Sequence, residues 1–305
     1  MLFGCLEGVP VRAGRLPLLQ RLLAAAPSPP AGDGAAAAAA GPPSPFGEGL
    51  NAAQRGCLEA AVRWRADKAR GAAPAEPVLL VHGPFGSGKT TLISKIILAL
   101  VDKEASGPPL RVFVAANTNV AVDRIMEALA ELEFTDFLRI GSVKKIATSI
   151  LQHSIHASNS KNRSATSELK AVLDTCAPTE HKKRQQIHAE ILNIKRGAEK
   201  QRKKLIKEVA VIGATCCASA NELLDAEAFD VAILDECSQM TEPMSLLPVV
   251  RSKAAHLIAV GDPQQLPPVL RTAAFRSAGA GSGSLARPLF QVSARPPSVG
   301  PVSGG

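Results

Sequence analysis

Between residues 50 and 270 the chain alternates short apolar runs with longer stretches of helical rhythm. The runs cover residues 78–81, 111–115, 137–140, 209–212, 231–234 and 256–260, rich in Val, Ile and Leu and bounded by polar or turn-forming positions. Runs of that length read as strands covered on both faces. Between them, apolar residues recur every three or four positions over 52–69, 91–103, 120–131, 165–176 and 180–208, which predicts amphipathic helices. Breaks fall at Gly71-Ala-Ala-Pro74 and Ser106-Gly-Pro-Pro109. Strands alternating with helices predict an α/β fold built on a parallel sheet with helices on both faces. No internal repeat interrupts the pattern.

Composition then divides the chain. Residues 25–49 are mostly Ala, Pro and Gly, with Asp33 and Glu48 the only charges, and residues 276–305 are mostly Ser, Gly, Ala, Pro and Arg with little periodic apolar content. Such segments cannot bury enough apolar surface to offset ordering entropy. The reading is therefore a disordered leader over 1–49, a folded body over 50–142 and 209–270, a helical insertion over 143–208, and a disordered tail over 271–305. The formal net charge is +8, and the insertion alone carries 15 Lys plus Arg against 6 Asp plus Glu. That concentration is either a solvated helical surface or an electrostatic footprint for nucleic acid.

Other features narrow the field. Cys5, Cys57, Cys176, Cys216, Cys217 and Cys237 show no C-x-x-C spacing, so reduced thiols in a reducing compartment are expected, and no zinc. His153, His156, His181 and His188 lack metal spacing and read as solvated helix residues. Trp64 reads as core. No run is long and apolar enough to cross a bilayer. Arg12, Arg15 and Arg21 among Leu and Ala resemble a mitochondrial presequence, with a plain leader as the other reading.

The chemistry sits at residues 83–90, Gly-Pro-Phe-Gly-Ser-Gly-Lys-Thr, which match G-x-x-x-x-G-K-[ST] between a strand and a helix. Glycines let such a loop turn its backbone N–H groups and the helix N-terminus toward phosphate oxygens. Gly83, Gly86, Ser87, Gly88, Lys89, Thr90 and Thr91 are the predicted nucleotide-binding residues. Lys89 should reach the β- and γ-phosphates, and the Thr90 hydroxyl should hold Mg²⁺. The strand over 231–234 ends in Asp235-Glu236. Asp235 should complete the metal shell, and Glu236 is placed to deprotonate an attacking water. The bland alternative is a Gly-rich turn beside an ordinary acidic strand end.

Further residues carry a family resemblance. Leu50-Asn51-Ala-Ala-Gln54 resembles the adenine-reading Q motif of superfamily 1 helicases, and residues 116–123 (Ala-Asn-Thr-Asn-Val-Ala-Val-Asp) resemble their motif Ia. Gly213-Ala-Thr-Cys216 is similar to motif Ic, Asp235-Glu-Cys-Ser-Gln239 to motif II, and residues 261–268 (Gly-Asp-Pro-Gln-Gln-Leu-Pro-Pro) to motif III. Order and spacing agree with the 5′-to-3′ branch that includes the nonsense-mediated-decay RNA helicase and senataxin. Residues 235–243 resemble the GRF-type zinc-finger helicase in particular. Asn117 departs from the proline or serine more usual there. The resemblance covers about residues 50–270 and implies the first of two RecA-like lobes, with a helical subdomain inserted over the nucleic acid.

It further implies that Gln54 reads adenine and so favours ATP, and that Gln265 senses the γ-phosphate. Thr118, Asn119 and Thr215 would contact the nucleic-acid backbone, turn capping being the alternative. It strengthens the binding reading for Lys182, Lys183, Arg184, Lys203 and Lys204. The implied ligands are ATP, Mg²⁺ and single-stranded DNA or RNA, in the nucleus or cytoplasm, with mitochondria as a further option.

The family's arginine fingers belong to a second lobe, and past Pro268 no further strand–helix units are read. Such an arginine is worth about 10³–10⁵ in rate in other P-loop enzymes. The expectation is an ATPase lobe that is weak or inactive alone and that pairs with a second lobe or a full-length helicase. The competing expectation is a non-catalytic module that binds nucleic acid or a helicase. A guanine-specific enzyme is disfavoured because no Asn-Lys-x-Asp occurs.

Overall fold

All six apolar runs form strands of one parallel sheet. The computed structural model describes residues 45–71, 76–157, 160–177, 179–262, 264, 265 and 268, with the backbone alone at 160, 161 and 163. The expected leader over 1–44 and tail over 271–305 lie outside the described residues. Residues 45–49, assigned to the leader by composition, include a 3-10 turn (Pro45–Gly47), and Phe46 packs against the core.

In chain order the elements are α1 (Ala52–Arg70), β1 (Val78–His82), α2 (Lys89–Val101), β2 (Val112–Ala116), α3 (Asn119–Glu131) and β3 (Phe137–Ile140), followed by α4 (Ser160–Thr175), α5 (His181–Glu208), β4 (Val211–Thr215), β5 (Val231–Asp235), α6 (Glu242–Ser252) and β6 (His256–Gly261). The strands lie in the order β1-β6-β5-β2-β4-β3. Because every pair is parallel, the carboxyl ends of all the strands share one edge. That edge is where open α/β sheets bind ligands.

Both faces of the sheet are covered. Alternate residues of β2 divide between two apolar layers: Val112, Val114 and Ala116 pack with α1, α2 and α3, while Phe113 and Ala115 pack with Ile206 of α5 and Val249 of α6. β2, β5 and β6 are buried at every position, which explains why they read as unbroken apolar runs. β4 runs two to three residues later than its apolar run suggests and passes through Gly213. A Cβ there would meet Met126 Cε at 2.9 Å, so the glycine lets α3 lie close to the sheet. Helix α6 was not among the predicted helices. It contains Pro243 in its first turn and Pro248 inside, and burial of Leu247, Val249 and Val250 holds it against the sheet.

Two buried arginines brace the lobe. Arg65 of α1, 1% exposed, donates to the carbonyls of Ala99 (2.9 Å), Leu100 (3.0 Å), Ala105 (3.1 Å), Ser106 (3.3 Å) and Gly107 (2.8 Å). It places positive charge at the C-terminus of α2, whose own last turn has no basic residue. Arg139 of β3, fully buried, pairs with Asp123 at 2.6 Å and donates to Asn119 Oδ1 at 3.0 Å.

Trp64 is core, as expected: it is 4% exposed, its Nε1 donates to Glu76 O at 3.0 Å, and its ring stacks on His256 at 4.5 Å. His181 and His188 are exposed on α5, but His153 and His156 correct the solvated reading. They sit in the turn after β3, where His153 lies 4.5 Å from the Phe137 ring and His156 Nε2 lies 2.9 Å from Gly141 O. The five described cysteines are free thiols, with Cys176, Cys216 and Cys237 buried.

The insertion is a hairpin of α4 and α5 closed by Cys176, Ile187 and Ile191 against Leu169 and Leu173. At 1.5 Å per residue, the 28 residues of α5 span roughly 42 Å. Among the described residues no helix is long and apolar enough to cross a membrane.

Candidate nucleotide site

β1 ends at His82, and the chain turns through Gly83–Gly88 into α2, as the motif spacing predicts. Gly83 is closely packed: a Cβ would lie 2.5 Å from Ser87 Oγ. Gly88 is the N-cap of α2 with φ +77, a conformation that side chains disfavour, and it offers no side-chain cap to the first-turn N–H groups. Those groups and the helix dipole are left to attract an anion. Lys89 Nζ donates to Gly83 O at 2.9 Å and Pro84 O at 3.3 Å, so its charge lies against the loop. Thr90 is half-buried and Thr91 exposed in the same turn.

Gln54 is already doubly engaged. It closes a capping box at the start of α1, with its Oε1 accepting from Asn51 N at 2.9 Å, while its Nε2 donates to Ser87 O at 2.9 Å. The structure thus brings the Q-motif glutamine onto the P-loop itself, a link invisible in sequence.

Asp235 is the last residue of β5 and 7% exposed, and its Oδ1 is buried without a hydrogen-bond partner among the described residues. Burial, and then the neighbouring charge of Glu236, push its carboxyl up to about 6, while Lys89 and Arg124 pull the other way. A buried carboxylate oxygen with no donor fits a cation. Among the described residues no cluster of three or more His, Cys, Asp or Glu could hold a metal. Asp235 and the Thr90 hydroxyl suit Mg²⁺, which needs only one or two protein ligands when phosphates and water complete its shell.

The raised value has a stability consequence. Folded Asp235 holds its proton more tightly than an unfolded aspartate near 3.9, so its contribution to stability falls as pH rises from about 4 to about 6, and the cost stays fully present above that window. Asp235→Asn removes the buried charge. It is expected to raise unfolding stability at pH 7 by up to about 3 kcal/mol, a gain that vanishes below pH 4. Urea unfolding at the two pH values measures this; equal gains at both would contradict it.

Glu236 follows in the left-handed region, at φ 54, and Gln239 Nε2 donates to its Oε2 at 3.2 Å. The tip of β6 is tied to both neighbours. Gly83 N donates to Gly261 O at 3.2 Å, and Asp262 N to Ser238 Oγ at 3.1 Å. Asp262 in turn gathers Gln264 N (3.0 Å), Gln265 Nε2 (3.1 Å) and His82 Nε2 (3.3 Å). These bonds, led by the Gln264 N–H, hold its carboxyl below the usual carboxylate range. Sequence reasoning quoted Asp262 inside a motif without giving it a task; it anchors the Gln265 side chain.

The predicted nucleic-acid residues fall into two groups. Thr118 and Thr215 stand just beyond or at the tips of β2 and β4, on the same edge as the P-loop. Their hydroxyls cap turns, accepting from Ala121 N and Ala218 N at 3.2 Å each. The Asn119 side-chain oxygen accepts from Arg139. The basic residues do not form one cluster: Lys182, Lys183 and Arg184 open α5, and Lys203 and Lys204 lie roughly 30 Å farther along it. The four lysines are exposed. Lys183, Lys203 and Lys204 pair with Glu180, Glu199 and Glu208 at 3.6, 2.7 and 3.6 Å. Arg184 instead donates to Leu173 O and Cys176 O, closing the end of α4.

A family model described as an AAA domain matches residues 49–273. The chain is 43% identical over 204 residues to the 5'-3' DNA helicase ZGRF1 of Mus musculus, covering 64% of this chain and 11% of that protein. It is 30% identical over 229 residues to the DNA-binding protein SMUBP-2 of Rattus norvegicus, covering 70% of this chain and 22% of that protein. A third similarity, 30% over 200 residues, is to the ATP-dependent helicase NAM7 of Saccharomyces cerevisiae, with 64% of this chain and 19% of that protein covered. The matched region thus spans between 11% and 22% of these relatives' lengths.

Proposed function

The chain belongs to the AAA-domain family of superfamily 1 helicase-like proteins, and on that footing we propose that its six-stranded lobe binds and hydrolyses ATP in a motor that engages single-stranded nucleic acid. The observation that carries this reading is the buried, unpartnered Asp235 Oδ1, next to Glu236 and within electrostatic reach of Lys89.

Each residue then has a task. The backbone N–H groups around Gly83, Gly86, Ser87 and Gly88 and the first turn of α2, with Thr91 in it, hold phosphate oxygens. Lys89 leaves the loop carbonyls to bind the β- and γ-phosphates. Thr90 and Asp235 would hold Mg²⁺, which would neutralise charge on those phosphates. Glu236 accepts the proton of the attacking water. Gln265, held by Asp262, reports on the γ-phosphate, and Gln54 stiffens the loop while facing the adenine side. Thr118, Asn119 and Thr215 present the tips of β2 and β4 to the strand.

The lobe is proposed to turn ATP over slowly by itself, because the family resemblance assigns the arginine contribution, about 10³–10⁵ in rate, to a second lobe. ATP hydrolysis measured with and without single-stranded oligonucleotide tests the proposal. Turnover stimulated by the strand is expected. Strand binding indifferent to ATP, with no turnover, would instead identify a non-catalytic binding module.

A further inference from the structure

An open groove of about 920 Å³ lies away from the P-loop, between the inserted helices α4 and α5 and the segment 220–223. Lys170 of α4 and Lys195, Arg202 and Lys203 of α5 line it, against Glu199 and Glu222. Lys203 is tied to Glu199 at 2.7 Å. Among the described residues Lys170, Lys195 and Arg202 form no ion pair within 4.0 Å, though the charge of Arg202 is felt by Glu199 across the groove.

Arg202 stands apart from the structural arginines. Arg65, Arg139, Arg184 and Arg251 spend their donors on backbone carbonyls or carboxylates. Among the described residues the Arg202 side chain makes no hydrogen bond, and its Nε is buried without an acceptor. An unspent guanidinium inside a basic groove suits a phosphate, whose oxygens match its fork of donors. Polar side chains of Thr166 and Asn221 complete the wall.

The groove's position says which phosphate. Its 220–223 wall follows directly from the turn Cys217–Ala220, which the Thr215 hydroxyl caps at the tip of β4. The groove wall thus follows within a few residues of chain from Thr215, one of the residues read as contacting the strand. We propose that this groove seats the phosphodiester backbone of single-stranded nucleic acid through Lys170, Lys195 and Arg202, while the exposed lysines at the start of α5 contribute little. This rests on the reading above that the lobe engages a strand, and adds where the strand's phosphates are held.

The test is a salt titration of oligonucleotide affinity in the full chain. Single-strand binding loses about 0.7 of log–log slope for each phosphate contact removed. The Lys170→Ala, Lys195→Ala, Arg202→Ala triple variant should therefore flatten the slope by about 2, with Mg–ATP affinity unchanged. The Lys170→Arg, Lys195→Arg, Arg202→Lys variant should keep the slope, which separates lost charge from lost folding. An unchanged slope in the alanine variant overturns the groove. So does an equal flattening in Lys182→Ala, Lys183→Ala, Lys204→Ala, which would show dispersed charge. Loss of Mg–ATP binding in the unsubstituted chain would sink the ATPase reading instead, so the two failures are distinguishable.

Discussion

Glu236→Gln is expected to cut ATP turnover by about 10²–10⁴-fold while leaving Mg–ATP binding intact, the range by which a positioned general base contributes. The residue is held for such a role. It follows the buried end of β5 and adopts φ 54, a conformation that costs a non-glycine residue about 1–2 kcal/mol. Gln239 fixes one carboxylate oxygen, leaving the other to take a proton. Glutamine keeps the shape and removes the basicity. The same change also withdraws a charge that raises the Asp235 carboxyl, so that neighbour ionises more readily in the variant. Steady-state turnover alongside nucleotide affinity separates the two effects. A variant that hydrolyses at the unsubstituted rate would place the base elsewhere.

The strands were legible because β2, β5 and β6 are apolar at every position, a pattern that burial on two faces demands. Helix α6 was not, because Pro248 falls inside it and only packing against the sheet offsets the helical hydrogen bond lost there, whereas Pro243 in the first turn costs none. Propensity is local, and α6 is a tertiary product.

The candidate site divides along the same line. The P-loop glycines and the Asp235-Glu236 pair announce themselves by spacing. Contacts between distant segments do not. Gln54 on Ser87, His82 and Gln265 on Asp262, and Arg65 on the end of α2 join residues brought together only by the sheet order. Residue type also says nothing of what a side chain is already doing: Arg184 looked like a phosphate contact and closes the end of α4, whereas Arg202 passed unnoticed with its donors unspent. Charge counts pointed to the helices over 143–208 as a single basic feature, whereas the length of α5 separates its two ends into different patches.

Lys89→Ala bears hardest on the whole account. Lys89 is a cation at the first turn of a helix whose N-cap glycine leaves backbone donors uncapped, and its field reaches the buried Asp235. Truncating one partner of a hydrogen-bonded charge pair in such a setting costs about 2–5 kcal/mol, or roughly 30- to 4000-fold in affinity. The decisive measurement is calorimetric titration of Mg–ATP into the unsubstituted chain and into Lys89→Ala. Saturable binding that weakens by that factor in the variant is the predicted result. No binding to the unsubstituted chain, or equal affinity in both, would contradict a nucleotide site built on this loop.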